Sequence, residues 1–345
     1  VGMSLSLDDV LGAHGRDLRE LTAAPDQPLA ITPRLLQLWE EVMRGMRIEQ
    51  PLLVVGPDGC GKSESLRALM RLAGLDFHAL LLTPDTEPSE LVGQQMPNLT
   101  RDKSAGEGRI RWSDGVVTTA FREGEVVMLD AVNEAEAPVI ERLNPLLEDP
   151  PTWVLTEKGE TTPLEHTRSF RVVATMTPPS SGAAMRTAAN DLSPAVANRF
   201  TAINMSGFGL PEGGRMPTAA LEELHTIARV MLAEDADVDM AVSACSALWI
   251  AAHPTAHVSV LSFRSLVRIL NCAHLLVLAN PTTLNLRDAL FHAFVVTVES
   301  QHSAMSNDQG ADARVLSDMG SKLRESLRLP ASGPSTSPDL SSWVE

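Results

Sequence analysis

The run Gly56-Pro57-Asp58-Gly59-Cys60-Gly61-Lys62-Ser63 fits the pattern G-x-x-x-x-G-K-[ST]. Upstream, Leu52-Leu53-Val54-Val55 is short, apolar and branched, and is expected to be a buried strand. Downstream, Glu64 to Leu72 reads as a helix, with Leu66, Leu69, Met70 and Leu72 apolar. Strand, glycine-rich turn and helix form the context this pattern requires. The glycines let backbone N–H groups turn inward around a phosphate, and the helix N-terminus adds a partial positive charge. In such a loop Lys62 reaches the β- and γ-phosphates of a nucleoside triphosphate, and the Ser63 hydroxyl holds Mg²⁺. Gly56 through Ser63, with Glu64 opening the helix, are the candidate nucleotide-binding residues.

Around this loop, strand and helix signals alternate. Thr32 and Pro33 suit the cap and first position of a helix whose apolar stripe is Leu35, Leu36, Trp39, Val42 and Met43. Strands are expected at Phe77 to Leu82, Glu125 to Asp130, Phe170 to Thr175 and Phe200 to Met205. Between them, residues 97–109 read as an exposed loop or short hairpin. Asp114-Gly115 begins a helix that ends before Gly124, and Pro138 to Glu148 reads as a helix. The alternation predicts an α/β fold with a parallel five-stranded sheet and flanking helices. Glycines and prolines crowd Gly207 to Pro217, and strand signals stop there. Leu221 to Leu232, Met240 to Ala252, Phe263 to Leu278 and Leu284 to Val298 read as four helices, with a weaker fifth at Ala313 to Leu327. The predicted organisation is an N-terminal extension over residues 1–30 with one short helix near Leu5 to Leu21. A large nucleotide-binding α/β subdomain follows over 31–210, a small all-helical subdomain over 211–328 and a mobile tail over 329–345.

The chain has 345 residues and 44% hydrophobic content, enough for a real core. Lys and Arg number 28 against 44 Asp and Glu, a net charge of −16. Such an acidic chain is a poor nonspecific binder of nucleic-acid phosphates, so no direct nucleic-acid contact is expected. Cys60, Cys245 and Cys272 have no metal-ligand spacing, and Cys60 sits inside the loop, which fits a reducing compartment. No apolar run is long enough to span a bilayer, so no membrane partner is expected. The opening Val1-Gly2-Met3 is not a secretion signal. It fits a piece of a longer protein or a tagged chain, with neighbouring domains missing.

Asp130, at the tip of an apolar strand, is where a phosphate-loop ATPase holds Mg²⁺ through water. Ser63 and Asp130 are therefore the candidate metal residues. The usual next residue is a Glu that activates the attacking water; this chain has Ala131, which accepts no proton. Loss of a positioned general base costs about 10²–10⁴ in rate.

Several runs then resemble the AAA+ modules, in particular the dynein-related branch that includes midasin. They are Ile31-Thr32-Pro33, Trp112-Ser113-Asp114-Gly115, Phe121-Arg122-Glu123-Gly124-Glu125 and Glu141 to Glu148. Phe170-Arg171, Ala174 to Pro178 and Leu192 to Phe200 follow, with Ser262 to Leu266 and Leu286 to Leu290 in the helical part. The resemblance implies a P-loop NTPase sheet followed by an AAA+ lid. It implies ATP or ADP with Mg²⁺ as cofactors and neighbouring AAA+ modules in a hexameric ring as partners. Position by position, Thr177 stands at sensor 1, where Asn is usual. Arg199 matches the arginine finger, worth about 10³–10⁵ in rate when supplied to a neighbour, or is a helix-end Arg paired with a carboxylate; Ala197 replaces the Arg before it. Arg264 matches sensor 2. Asp130, Thr177 and Arg199 are thus the candidate catalytic residues. His253 and His257 are expected as surface or packing residues.

With the loop and Asp130 intact but Ala131, Thr177 and Ala197 changed, the expectation is a module that binds nucleotide more readily than it turns it over. Three readings remain open. One is a motor module of a midasin-like remodeller of pre-60S ribosomal particles that strips protein assembly factors, with a nuclear or nucleolar location. Another is a nucleotide-locked structural module. The third is a stand-alone MoxR-like hexameric chaperone ATPase.

Overall fold

The computed structural model describes residues 30–97, 110–165, 167, 169–178, 192–232, 237–253, 261–279, 284–299 and 311–329. The helix expected near Leu5 to Leu21, most of the 97–109 loop, His257 and the tail from residue 330 lie outside them.

The chain divides into two compact units; within the described residues the first runs over Arg34–Ser206. It opens with α1 (Pro33–Arg47). Next come β1 (Leu52–Val55), α2 (Lys62–Leu72) and β2 (Phe77–Leu81). A short α3 (Pro88–Val92) leads into a hairpin of β3 (Gly93–Pro97) and β4 (Ile110–Asp114). Then follow α4 (Val116–Glu123), β5 (Val126–Asp130), α5 (Ala137–Glu141), β6 (Arg171–Met176), α6 (Pro194–Ala197) and β7 (Thr201–Asn204). β3 and β4 pair antiparallel, apart from the main sheet. The main sheet has five parallel strands in the order β2-β5-β6-β1-β7.

Alternation along these strands explains why both faces are covered. Leu53, Val127, Leu129, Val172 and Ala174 face one core with Phe121, Ile140, Trp153 and Phe170. Leu52, Val54, Met128 and Val173 alternate with them and are equally buried. α1 lies on Leu52 so closely that a Cβ at position 45 would have to displace the Leu52 methyl groups. The Trp39 indole N–H of α1 donates to the Ser65 carbonyl of α2 at 2.9 Å. The buried face of α1 is Leu35, Leu38, Trp39, Val42 and Met46. Leu35, Trp39 and Val42 of the expected stripe are buried; Leu36 and Met43 are only half-buried, and Leu38 and Met46 meet the core in their place.

One expected helix is broken. In place of a continuous Pro138–Glu148 helix, α5 stops at Glu141 and a 3₁₀ turn covers Asn144–Leu147. Pro145 has no N–H to give the preceding turn and disfavours helical backbone at Asn144. The segment after it is braced. Arg142 pairs with Glu157 at 2.8 Å and stacks on Trp153 at 4.2 Å, while the Trp153 indole donates to Thr118 at 2.8 Å.

Within the described residues the second unit takes in residues 30–33 and 207–329. Its described helices are α7 (Thr218–Met231), α8 (Val238–Ala252), α9 (Phe263–Ala279), α10 (Leu286–Phe294) and α11 (Ala311–Leu327). A π-helical turn, Val295–Glu299, follows α10. Leu224, Leu248, Trp249, Leu266, Leu290, Phe294 and Met319 are among its core residues. Phe208 stacks on Phe263 and meets Trp249 edge-on, with ring centroids 4.7 and 5.0 Å apart. His253 packs on Trp249 and hydrogen-bonds its carbonyl at 2.9 Å, and burial lowers its pKa. No helix among the described residues is long and apolar enough to cross a membrane.

Candidate functional site

The loop between β1 and α2 is shaped by its glycines. Gly59 and Gly61 take φ of 70° and 99°, where a Cβ is costly. At Gly56 the conflict is with a neighbour: an added Cβ would stand 2.5 Å from the Met205 carbonyl. The loop can therefore lie against the end of β7 only with glycine there. Arg34 of α1 fastens it, donating to the Cys60 carbonyl at 3.2 Å and the Ser206 carbonyl at 2.9 Å. The Ser65 hydroxyl donates to the Gly61 carbonyl at 2.6 Å and closes the first turn of α2. Cys60 is 2% exposed, its Sγ 3.7 Å from the Met205 sulfur. Burial pushes its pKa up, against the lowering pull of Lys62 and Arg34.

Lys62 is buried, and its ammonium donates to the carbonyls of Gly56 and Pro57 at 2.8 and 2.9 Å and to Thr177 Oγ1 at 3.0 Å. Thr177 follows the end of β6, so β6 brings its hydroxyl to the loop. Ser63 Oγ donates to Asp130 Oδ1 at 2.6 Å. The Thr175 hydroxyl donates to the same oxygen at 2.5 Å and accepts the Ala131 N–H at 3.0 Å. Two hydroxyls on adjacent elements therefore aim one carboxylate oxygen of Asp130. Ala131 sits at φ 57°, a left-handed turn by which the chain leaves β5. Asn133, 1% exposed, lies two residues on. Its amide donates to the Thr177 carbonyl at 3.1 Å and accepts the Thr177 N–H at 3.4 Å.

The structure thus brings together Gly56, Gly59, Gly61, Lys62, Ser63, Asp130 and Thr177 of the sequence-predicted set. Pro57 contributes a carbonyl, while Asp58 and Cys60 belong to the loop itself. Glu64 is exposed and pairs with Arg67 at 2.6 Å. Arg199 lies elsewhere in the first unit, where it pairs with Glu148 at 2.7 Å and donates to the Ala195 carbonyl. Arg264 is exposed on α9 of the second unit. Sequence reasoning missed Thr175, Asn133 and Arg67, whose guanidinium is 3.6 Å from Asp130 Oδ2. Helical spacing could have exposed Arg67, four residues after Ser63; nothing local marks the other two.

The donor set fits a nucleoside triphosphate with a divalent ion. Inward-turning loop backbone and Lys62 suit phosphate oxygens, and a hydroxyl beside a carboxylate suits a hard cation. Beside Asp130 there is no carboxylate at position 131 to take a proton.

A five-stranded parallel sheet carrying this loop after β1, between β6 and β7 in the sheet, and followed in the chain by a helical unit, is the arrangement of an AAA+ module. Residues 51–200 match the AAA domain, dynein-related subfamily. Midasin of Giardia intestinalis is 31% identical over 136 residues, 39% of this chain and 2% of that protein. The denitrification regulatory protein NirQ of Stutzerimonas stutzeri is 27% identical over 219 residues, 63% of this chain and 66% of that protein. Among solved structures, NtrX from Brucella abortus in complex with ATP shares the fold. It has a TM-score of 0.50 and 15% identity, over 87% of this chain and 64% of that one. The chain spans only 2–3% of the midasins it matches.

Proposed function

We propose that the chain is an AAA+ module that binds ATP or ADP with Mg²⁺ at the β1–α2 loop and hydrolyses ATP slowly at best. The observation that carries this reading is the meeting of Lys62, Ser63, Asp130 and Thr177 at one point. The loop amides and Lys62 would hold the β- and γ-phosphates. Ser63 and Asp130 would hold Mg²⁺, which supplies charge neutralisation of the phosphates when bound. Thr177, already within 3.0 Å of the Lys62 ammonium, would register the γ-phosphate. Arg199 would serve a neighbouring module once released from Glu148. With Ala131 beside Asp130, the attacking water lacks a base, so bound ATP outlives a normal turnover.

In this reading the module works in a ring of like modules and acts on protein partners. The likeness to midasin supports a remodeller of pre-60S particles in the nucleus. A second reading, a MoxR-like ring of single modules, is supported by the NirQ likeness. That likeness runs over 219 residues, beyond the 150 spanned by positions 51–200. Mass measurement with nucleotide separates them: a discrete six-fold ring of this chain alone favours the second.

The core test is affinity for a fluorescent ATP analogue. Lys62→Ala removes a charge-assisted contact worth about 1.5–3 kcal/mol, so binding should weaken at least about tenfold. Unchanged affinity would overturn the assignment of the pocket.

A further inference from the structure

Ser63 and Arg67 are four residues apart on α2, so both lie on the face turned to the tip of β5. Asp130 stands opposite them, 13% exposed at its side chain. Its two oxygens are used differently. Oδ1 accepts from the Ser63 and Thr175 hydroxyls at 2.6 and 2.5 Å. Oδ2 faces the Arg67 guanidinium at 3.6 Å. Arg67 is itself placed by Glu64, one turn back, which accepts from its other terminal nitrogen at 2.6 Å. Glu64 is 71% exposed at its side chain and Arg67 28%, so the Glu64 contact is screened while Arg67 leans into the half-buried site.

We infer that Arg67 is a resident cation at the metal position of the site, standing in part for the divalent ion. The inference rests on the proposed nucleotide site and concerns its regulation. An arginine is charged at every working pH and cannot yield its proton. Placed against the carboxylate that would face a divalent ion, it acts twice. It lends positive charge to phosphates gathered at Lys62 and Ser63 whether or not Mg²⁺ is present. It also competes with Mg²⁺ for Asp130 and repels it at short range in a partly buried setting, where screening is weak. Both effects flatten the dependence of nucleotide affinity on Mg²⁺. A module so equipped keeps its nucleotide when the ion leaves, which accords with a site lacking the carboxylate at position 131.

The measurement is the affinity of the full chain for fluorescent ATP and ADP analogues in EDTA and in saturating Mg²⁺, for wild type and Arg67→Gln. The wild-type ratio between the two conditions should be small. Arg67→Gln should bind more weakly in EDTA and nearly normally in Mg²⁺, raising the ratio about tenfold, equivalent to 1.4 kcal/mol of coupling. Arg67→Lys, which keeps the charge on a shorter reach, should give an intermediate ratio. Mn²⁺ affinity without nucleotide, read by electron paramagnetic resonance, should rise in Arg67→Gln. Equal ratios in wild type and Arg67→Gln, with unchanged Mn²⁺ affinity, would overturn the inference. Failure of wild type to bind nucleotide at all would instead overturn the site assignment on which it rests. Should Arg67→Gln unfold, Arg67→Met, which keeps the apolar stem and removes the charge, decides: a ratio equal to wild type at unchanged Mn²⁺ affinity overturns the inference.

Discussion

The two edges of the phosphate site are built by opposite means. The loop edge is made of backbone: glycines at positive φ, a Gly56 pressed on the Met205 carbonyl, and carbonyls that hold the Lys62 ammonium. The strand-tip edge is made of residues at and just beyond the ends of β5 and β6: Asp130 takes the Thr175 and Ser63 hydroxyls, while Asn133 holds the Thr177 backbone and the Thr177 hydroxyl meets Lys62. Backbone shape fails as a whole when a glycine is lost. A side-chain array can give up one member and keep its frame. Ala131 is such a gap, set in a turn that Thr175 still holds by its hydrogen bond to the Ala131 N–H. In the proposed reading, nucleotide binding rests mainly on the loop edge, and turnover on the strand-tip edge.

The sharpest test restores the missing group. Ala131→Glu should raise ATP turnover by about 10²–10⁴, the range for a positioned general base. Ala131 is already left-handed at φ 57°. The steric cost of that turn comes from the Cβ, which Ala and Glu share, so the exchange should leave the fold intact. Phosphate release and a melting curve measured together would show it. If turnover stays flat in a folded variant, the strand-tip edge lacks more than one residue, or does not face the γ-phosphate.

A smaller effect probes how the tip edge is held. Asn133→Ala removes both amide bonds to the Thr177 backbone in a buried setting. Leaving such groups unpaired costs about 1–3 kcal/mol, to be read by urea denaturation. Thr177 would then lose its fixed distance to Lys62. Discrimination between ATP and ADP should fall; Lys62→Ala should weaken both nucleotides, ATP the more because it also loses a γ-phosphate contact. A variant as stable and as selective as wild type would show that Thr177 is held by β6 alone.

The contrast between the edges also decides what could be read from the sequence. The loop edge was legible because backbone shape is written in consecutive residues: Gly56 to Ser63 between an apolar strand and a periodic helix. The parallel sheet was legible because alternating strand and helix signals leave few alternatives. Asp130 was legible as the end of Val126–Leu129. Thr175 and Asn133 were not, since each acts on a partner 44 or 45 positions away across neighbouring strands. The break after Glu141 was missed because apolar spacing persists through Leu143, Leu146 and Leu147 while Pro145 ends the helix. The two misplaced residues of the α1 stripe have a similar origin. Leu36 and Met43 are as apolar as Leu38 and Met46, and only the sheet beneath selects between them.

The smallest expected effect returns to the loop edge, where one side chain is present for packing. Cys60 is buried beside Met205, and burial raises its pKa above the ordinary value. A raised folded-state value means that the thiol's contribution is complete below the unfolded-state value and is lost as pH climbs through the folded one. The stability gap between wild type and Cys60→Ala should therefore narrow from about pH 8 to about pH 10, the range around an ordinary thiol pKa. Cys245, pushed up to about 12 in the second unit, loses stability in both proteins and cancels from the comparison. Iodoacetamide should label Cys60 only as fast as the loop opens, because the thiolate that reacts is suppressed. Rapid labelling of native protein, or a gap that widens with pH, would mean that the loop is more open than its packing on Met205 implies, and would remove the rigidity that distinguishes this edge from the other.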